Sequence, residues 1–235
     1  MRIDKFLSDM GVATRKEIKA AAKRGAITVD GAVVTDVARH IDPECVTVTY
    51  LDRPIEYRKY TYVMLNKPEG YVSATDDAHL PFVTELLPPQ LQRLELFPVG
   101  RLDKDTTGLM ILTNNGPLAH ALLSPRHHVK KTYSFSAAEP MREGVEEEFR
   151  RGVTLADGYE CKSAEIVLSP ERTEGTIVLT EGKYHQIKRM VASFGNKVTR
   201  LERISFGPLT LDTALMRGEW RFLTEQEIEL LNSCK

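Results

Sequence analysis

The feature that most limits the fold of this chain is a change in hydrophobic period shortly after residue 25. Ile3, Phe6, Leu7 and Met10 recur at helical spacing, and Gly11 supplies a residue suited to the left-handed conformation that commonly ends a helix. Thr14 with Glu17 three residues later forms a capping-box pattern, which predicts a second helix over Arg15 to Arg24, closed by Gly25. From there the apolar runs become short and β-branched. ITVDGAVV reads as a hairpin turning on Asp30-Gly31, because that dipeptide tolerates the positive φ angles of a tight turn, and VTVTY at Val46 to Tyr50 adds a strand.

The polar, proline-bearing segment DRPIEYRKY separates this unit from the strand-like run YTYVMLNKP, so the chain divides into a small domain over 1–58 and a larger one over 59–235. In the larger part LFPVG, GLMILTN, KTYSFSA, AEIVLS, GTIVLT and VTRLERISF read as strands with short helices between them. Strands predominate without strict βαβ alternation. The expected class is α+β, a mainly antiparallel or mixed sheet following a two-helix and hairpin unit. The longest apolar runs, Leu109 to Leu112 and Ile177 to Leu179, are far too short to span a membrane, and no secretion signal is visible. Cys45, Cys161 and Cys234 are widely spaced and odd in number, which fits a reducing cytoplasm better than a disulfide framework or a local metal knuckle.

A formal charge of -1 would not draw a protein to a polyanion, so the distribution of charge matters more than its sum. On the second predicted helix Lys16, Lys19 and Lys23 recur at i, i+3 and i+7 with Arg15 and Arg24 at its ends, while Ile18, Ala21 and Ala22 take the other side. A second basic stretch, Lys183 to Arg203, has six Lys and Arg residues against the single acid Glu202, and acid concentrates instead in EPMREGVEEE. Either stretch alone could be a solvated face. A cationic stripe beside a short-turned hairpin also suits phosphate contacts. This arrangement resembles the S4-like RNA-binding domain.

The polar run GRLDKDTTGL, Gly100 to Leu109, lies between two strand-like runs and therefore on a loop, where a rigid sheet can present reactive groups. Asp103 and Asp105 sit too close on one loop to form a glycosidase pair, and ordinary turn capping would account for both. Histidines at 127, 128 and 185 lack a third ligand at metal spacing and read as RNA-facing or structural.

Five ordered segments, GRLDKDTTGL, NKPEGYV at Asn66 to Val72, RHHVKKTY at Arg126 to Tyr133, LTEGKYHQIKRM at Leu179 to Met190, and RISFGPLTLD followed by GEWRFLT, together resemble the pseudouridine synthases of the RsuA type. The likeness runs over essentially the whole chain. It implies an rRNA-modifying isomerase with Asp103 as catalytic carboxylate, no metal and no cofactor. It further implies Lys188 as the cation keeping Asp103 ionised, at a position where sister families carry arginine, and Tyr133 against the target base. Leu179 would close the pocket, Arg101 would fill the vacancy left by an everted nucleotide, and Lys131 and Arg189 would contact RNA. Each residue also has a plainer account: Tyr133 and Leu179 as core residues, Lys188 as one more RNA-facing cation, Arg101 as a phosphate or main-chain contact. Small-subunit (16S) rRNA, or an assembly intermediate of that subunit, is the target the likeness favours, with a monomeric enzyme. A large-subunit or transfer RNA target, and a silent rRNA-binding assembly factor, are the alternatives.

Overall fold

The computed structural model describes residues 1–234 as two units. One comprises Met1–Thr61 together with Leu87–Leu96, the other Tyr62–Leu86 together with Phe97 onward.

In the first unit α1 (Ile3–Asp9) and α2 (Arg15–Lys23) precede a four-stranded antiparallel sheet of β1 (Ile27–Val29), β2 (Ala32–Val33), β3 (Val48–Tyr50) and β4 (Arg53–Ile55), in the order β2-β1-β3-β4. The Thr14–Glu17 capping box forms as the spacing predicts, each side chain satisfying the other residue's backbone N–H at the start of α2. Ile18, Ala21 and Ala22 are buried against Phe6, Leu7 and Ile27, and the lysines of α2 stay exposed. The β1–β2 hairpin turns on Asp30 at φ 50° and Gly31 at φ 80°. One strand lies where the sequence reads as linker: β4, inside DRPIEYRKY, pairs Pro54 with Thr49 on the outer edge of the sheet. A proline is tolerated there because an edge strand leaves one side of its backbone unpaired. The segment 87–96, with the short α3 (Pro89–Gln92), is the other departure from a cut after residue 58. Gly11 explains the attachment, since a Cβ on it would meet the Gln90 carbonyl oxygen at 2.5 Å.

The second unit is built on β5 (Tyr62–Lys67), β6 (Phe97–Pro98), β7 (Thr107–Thr113), β8 (Lys131–Ala137), β9 (Glu165–Leu168), β10 (Glu174–Leu179), β11 (Val198–Phe206), β12 (Leu209–Thr210) and β13 (Trp220–Phe222). Their order is β13-β5-β7-β11-β8-β10-β9, with β6 on β7 and β12 on β11. A 3-10 turn, Val83–Leu86, and helices α4 (Gly116–Leu123), α5 (Val145–Arg151), α6 (Gln186–Ala192) and α7 (Glu225–Asn232) complete it. The acidic run EPMREGVEEE finds its place in α5, whose first turn holds Glu146, Glu147 and Glu148 and whose last holds Arg150 and Arg151, the distribution a helix dipole favours. The main core lies where Phe149, Ile187, Met190 and Val191 of α5 and α6 meet Phe135, Ile166, Ile177 and Leu201 of the sheet. No helix among the described residues is long and apolar enough to cross a membrane.

At the centre, β7 pairs antiparallel with β5 and parallel with β11, and its residues Gly108–Thr113 are all buried. The parallel pairing sets Gly108 beside Arg203, so closely that an added Cβ would lie 2.4 Å from the Arg203 carbonyl oxygen. Its φ of 99° is also one that side-chain-bearing residues rarely adopt. Gly108→Ala is expected to destabilise the protein by about 2–4 kcal/mol through backbone strain and displacement of β11. Urea denaturation checks this: the midpoint should fall with little change in slope, and an unchanged midpoint would contradict the packing described.

Candidate active site

Asp103 sits on the loop between β6 and β7, as the spacing of apolar runs predicts. What holds that loop is a buried lysine. Lys67 ends β5 with no exposed surface, and its Nζ donates to the carbonyl oxygens of Thr106 (2.8 Å), Asp103 (3.0 Å), Pro68 (3.1 Å) and Lys104 (3.2 Å). An ammonium has three donors, so four acceptors at these distances share them. Ser73 secures the preceding residue twice, its Oγ donating to the Leu102 carbonyl at 2.7 Å and accepting from the Leu102 N–H at 2.9 Å. With the backbone occupied in this way, the Asp103 carboxylate is left for other partners. Nearby, Thr106 Oγ1 is buried without a hydrogen-bond partner.

The other wall comes from the run EGKYHQIKRM. Buried Gln186 accepts from the Lys183 N–H at 2.9 Å and donates to Glu181 at 2.7 Å, which fixes the turn before α6. His185 follows in the left-handed region at φ 49°, and its Nε2 lies 3.6 Å from Asp103 Oδ1. Lys188, in the first turn of α6, places Nζ 3.3 Å from Asp103 Oδ2 and 2.5 Å from Asp105 Oδ1. The resulting cleft, about 370 Å³, is lined by Glu69, Gly70, Asp103, Lys104, Asp105, His185 and Lys188.

The two lysines answer to opposite forces. Burial pushes Lys67 down to about 8, against the opposing pull of Asp105 and Asp103. Burial also acts to lower Lys188, but its bonds and charge contacts with Asp105 and Asp103 outweigh it and raise the ammonium above its ordinary value. Asp105 is the converse: burial would raise it, and Lys188 holds it below the usual carboxylate range. The side chains of Asp103 and Lys188 remain 26% and 24% exposed, so this charge pair is partly shielded from water yet open to a ligand.

The sequence places Asp105 on the same loop but gives it no role, and it gives none at the site to His185 or Lys67; the structure pairs Asp105 with Lys188 and brings His185 and Lys67 to the Asp103 loop. Tyr133, Lys131 and Leu179 are neighbours on β8 and β10 and are not among the seven residues that line this cleft. Leu179 is buried in the main core and Tyr133 packs against it half-buried. The Lys131 ammonium turns inward, bonding the Val129 carbonyl at 3.1 Å and lying 5.6 Å from the Phe206 ring centre, where burial pushes it down to about 8. Arg101 is exposed at the start of the loop, and Arg189 forms an ion pair with Asp157. Arg15, Lys16, Lys19, Lys23 and Arg24 line the exposed side of α2. Among the described residues no group of three or more His, Cys, Asp or Glu could hold a metal ion.

A family model described as RNA pseudouridylate synthase matches residues 61–193, which contain both walls of the cleft, and an S4-domain model matches residues 1–45. Proteins named ribosomal small subunit pseudouridine synthase A, from Escherichia coli K12 and Vibrio vulnificus, are 38% and 39% identical, each aligning over 97% of this chain and 98% of their own length. The chain belongs to the RsuA-type pseudouridine synthases. An uncharacterized RNA pseudouridine synthase of Bacillus subtilis, YtzG, is 45% identical over 99% of this chain and 98% of its own. A crystal structure of a pseudouridylate synthase superposes with a TM-score of 0.69 at 35% identity, covering 98% of this chain and 99% of that one.

In this pseudouridine synthase Lys67 gathers the backbone of the Asp103 loop, and its depressed pKa gives that packing a pH signature. Its folded pKa, about 8, lies below the ordinary lysine value of 10.5, so between these values the unfolded chain binds the proton that the native one has released. Stability contributed at this site therefore rises with pH across that window. The difference in unfolding free energy between wild type and Lys67→Met should move in favour of wild type from pH 7.5 to pH 10. Curves that keep a constant offset would contradict the burial of a titrating lysine here.

Proposed function

We propose that this enzyme converts one uridine of small-subunit (16S) rRNA to pseudouridine with Asp103 as its catalytic carboxylate, acting as a cytoplasmic monomer. One observation carries the assignment of Asp103: its carboxylate lines a cleft, 3.3 Å from the Lys188 ammonium, on a loop held by Lys67 and Ser73. Isomerisation detaches uracil from ribose at nitrogen and rejoins it through carbon, which requires no oxidant and no metal. It requires an ionised group acting as nucleophile or base toward the nucleoside. Desolvation by the bound base would favour the inert acid, and the adjacent ammonium opposes that shift.

RNA capture falls to the unit around 1–58, where the exposed cations of α2 meet phosphates, and the chemistry falls to the remainder. Tyr133 is assigned to the target base, Leu179 to the wall behind it, and Arg101, Lys131 and Arg189 to the RNA. The full-length likeness to proteins named for the ribosomal small subunit supports the choice of that RNA.

Asp103→Asn is expected to abolish pseudouridine formation, a loss on the order of 10⁴-fold or more, while RNA affinity stays within a few fold. A pseudouridine map of total rRNA from cells carrying the wild-type protein, the variant or neither should show one small-subunit site present only with the wild type. Turnover by the variant would remove Asp103 from the chemistry, and a site in large-subunit or transfer RNA would redirect the substrate.

A further inference from the structure

Among the described residues the largest fully buried side chain is a cation, Arg203 on β11, 1% exposed, and it lies outside the stretch matched by the synthase family model. A guanidinium stays charged in proteins, so its burial carries a desolvation cost that a partner must offset. Among the described residues Arg203 has no carboxylate in ion-pair distance. Its Nε donates to the Leu109 carbonyl at 2.8 Å, its guanidinium carbon lies 5.3 Å from the Phe206 ring centre, and its Nη2 is buried with no hydrogen-bond partner.

Its neighbours tie two functional elements together. Arg203 stands directly opposite Tyr133 in the β11–β8 ladder, so both side chains rise from the same face of the sheet; burial pushes the guanidinium's pKa down, and the neighbouring phenol opposes that shift. On its other side it meets both ends of the loop that carries Asp103. A Cβ built on Gly100 would lie 4.0 Å from Arg203 Nη1, while Leu109 accepts the Nε bond just after Gly108 passes over the arginine's backbone.

We infer that Arg203 is a positioning residue for Tyr133, fixing the phenol oxygen and supplying the positive charge against which that oxygen accepts the proton leaving carbon 5 of the reattached uracil. The role rests on Tyr133 facing the target base. In that step the carbon–hydrogen bond breaks, its electron pair returns to the ring, and the phenolate oxygen becomes phenol. The ring nitrogen released earlier from ribose takes a proton from solvent, and the phenol returns its own, so the isomerisation is balanced.

The test is single-turnover kinetics on substrate RNA carrying protium or deuterium at carbon 5, with wild type, Arg203→Met, Arg203→Lys, Tyr133→Phe and the Met/Phe double variant. Thermal unfolding of each establishes that it is folded. Arg203→Met should slow product formation on the order of 10²-fold at unchanged RNA affinity, and the slowed rate should show a larger deuterium effect than wild type. Arg203→Lys should recover part of the rate, and the double variant should be no slower than Tyr133→Phe alone. If the Met variant does not fold, the Lys variant carries the test, and a deuterium effect above wild type is required of it. A slow, folded Arg203 variant with the wild-type deuterium ratio, or losses that multiply in the double variant, would overturn the role while leaving Tyr133 in place. A wild-type rate for Tyr133→Phe would instead remove Tyr133 from the reaction, and this role of Arg203 with it.

Discussion

One ammonium, that of Lys67, collects three carbonyl oxygens of the loop that carries Asp103, and the geometry of the cleft follows from that convergence. Backbone carbonyls of a tight loop repel one another unless a cation or donor gathers them, and here the donor is buried at the end of a fully buried strand. The fixed backbone leaves the carboxylates of Asp103 and Asp105 to meet Lys188. One lysine thus gathers the backbone of the loop, and another pairs with its carboxylates. Moving either would change the other's environment, because both carboxylates act on both ammonium groups.

The mixed sheet makes this arrangement possible. A parallel contact between β7 and β11 sets the end of the loop against a second buried cation, Arg203, and the antiparallel β8 brings Tyr133 to that same arginine from the opposite edge. Glycine at 108 is the local condition for the close approach. The proposed chemistry therefore draws on residues from β5, the β6–β7 loop, β8, α6 and β11, none of which neighbours all the others in sequence.

Much of this was legible in the chain itself. The capping box at Thr14, the Asp30-Gly31 turn and the amphipathic face of α2 obey local rules, and local rules are what periodicity reads. The Asp103 loop was legible because two apolar runs bracket it. β4 was not, because Pro54 and its polar neighbours resemble a linker unless the strand is known to lie on an edge. Lys67 and Arg203 are hidden for a related reason: a charged residue in a strand reads as solvent-facing, and only the tertiary fold shows that each is buried against backbone carbonyls, Arg203 also against the Phe206 ring. Asp105 was set aside as turn chemistry since its partner lies 83 positions away, a separation that no local pattern records.

In the proposed mechanism the Asp103 carboxylate works because the Lys188 ammonium stands against it in the cleft. The most direct measurement is the single-turnover rate of Lys188→Gln on rRNA at saturating enzyme, with RNA affinity measured alongside. A loss on the order of 10²-fold or more, with affinity nearly preserved and largely recovered in Lys188→Arg, is the result expected of a charge acting on the reacting carboxylate. A variant that keeps the wild-type rate, or one that fails only by releasing RNA, would contradict it.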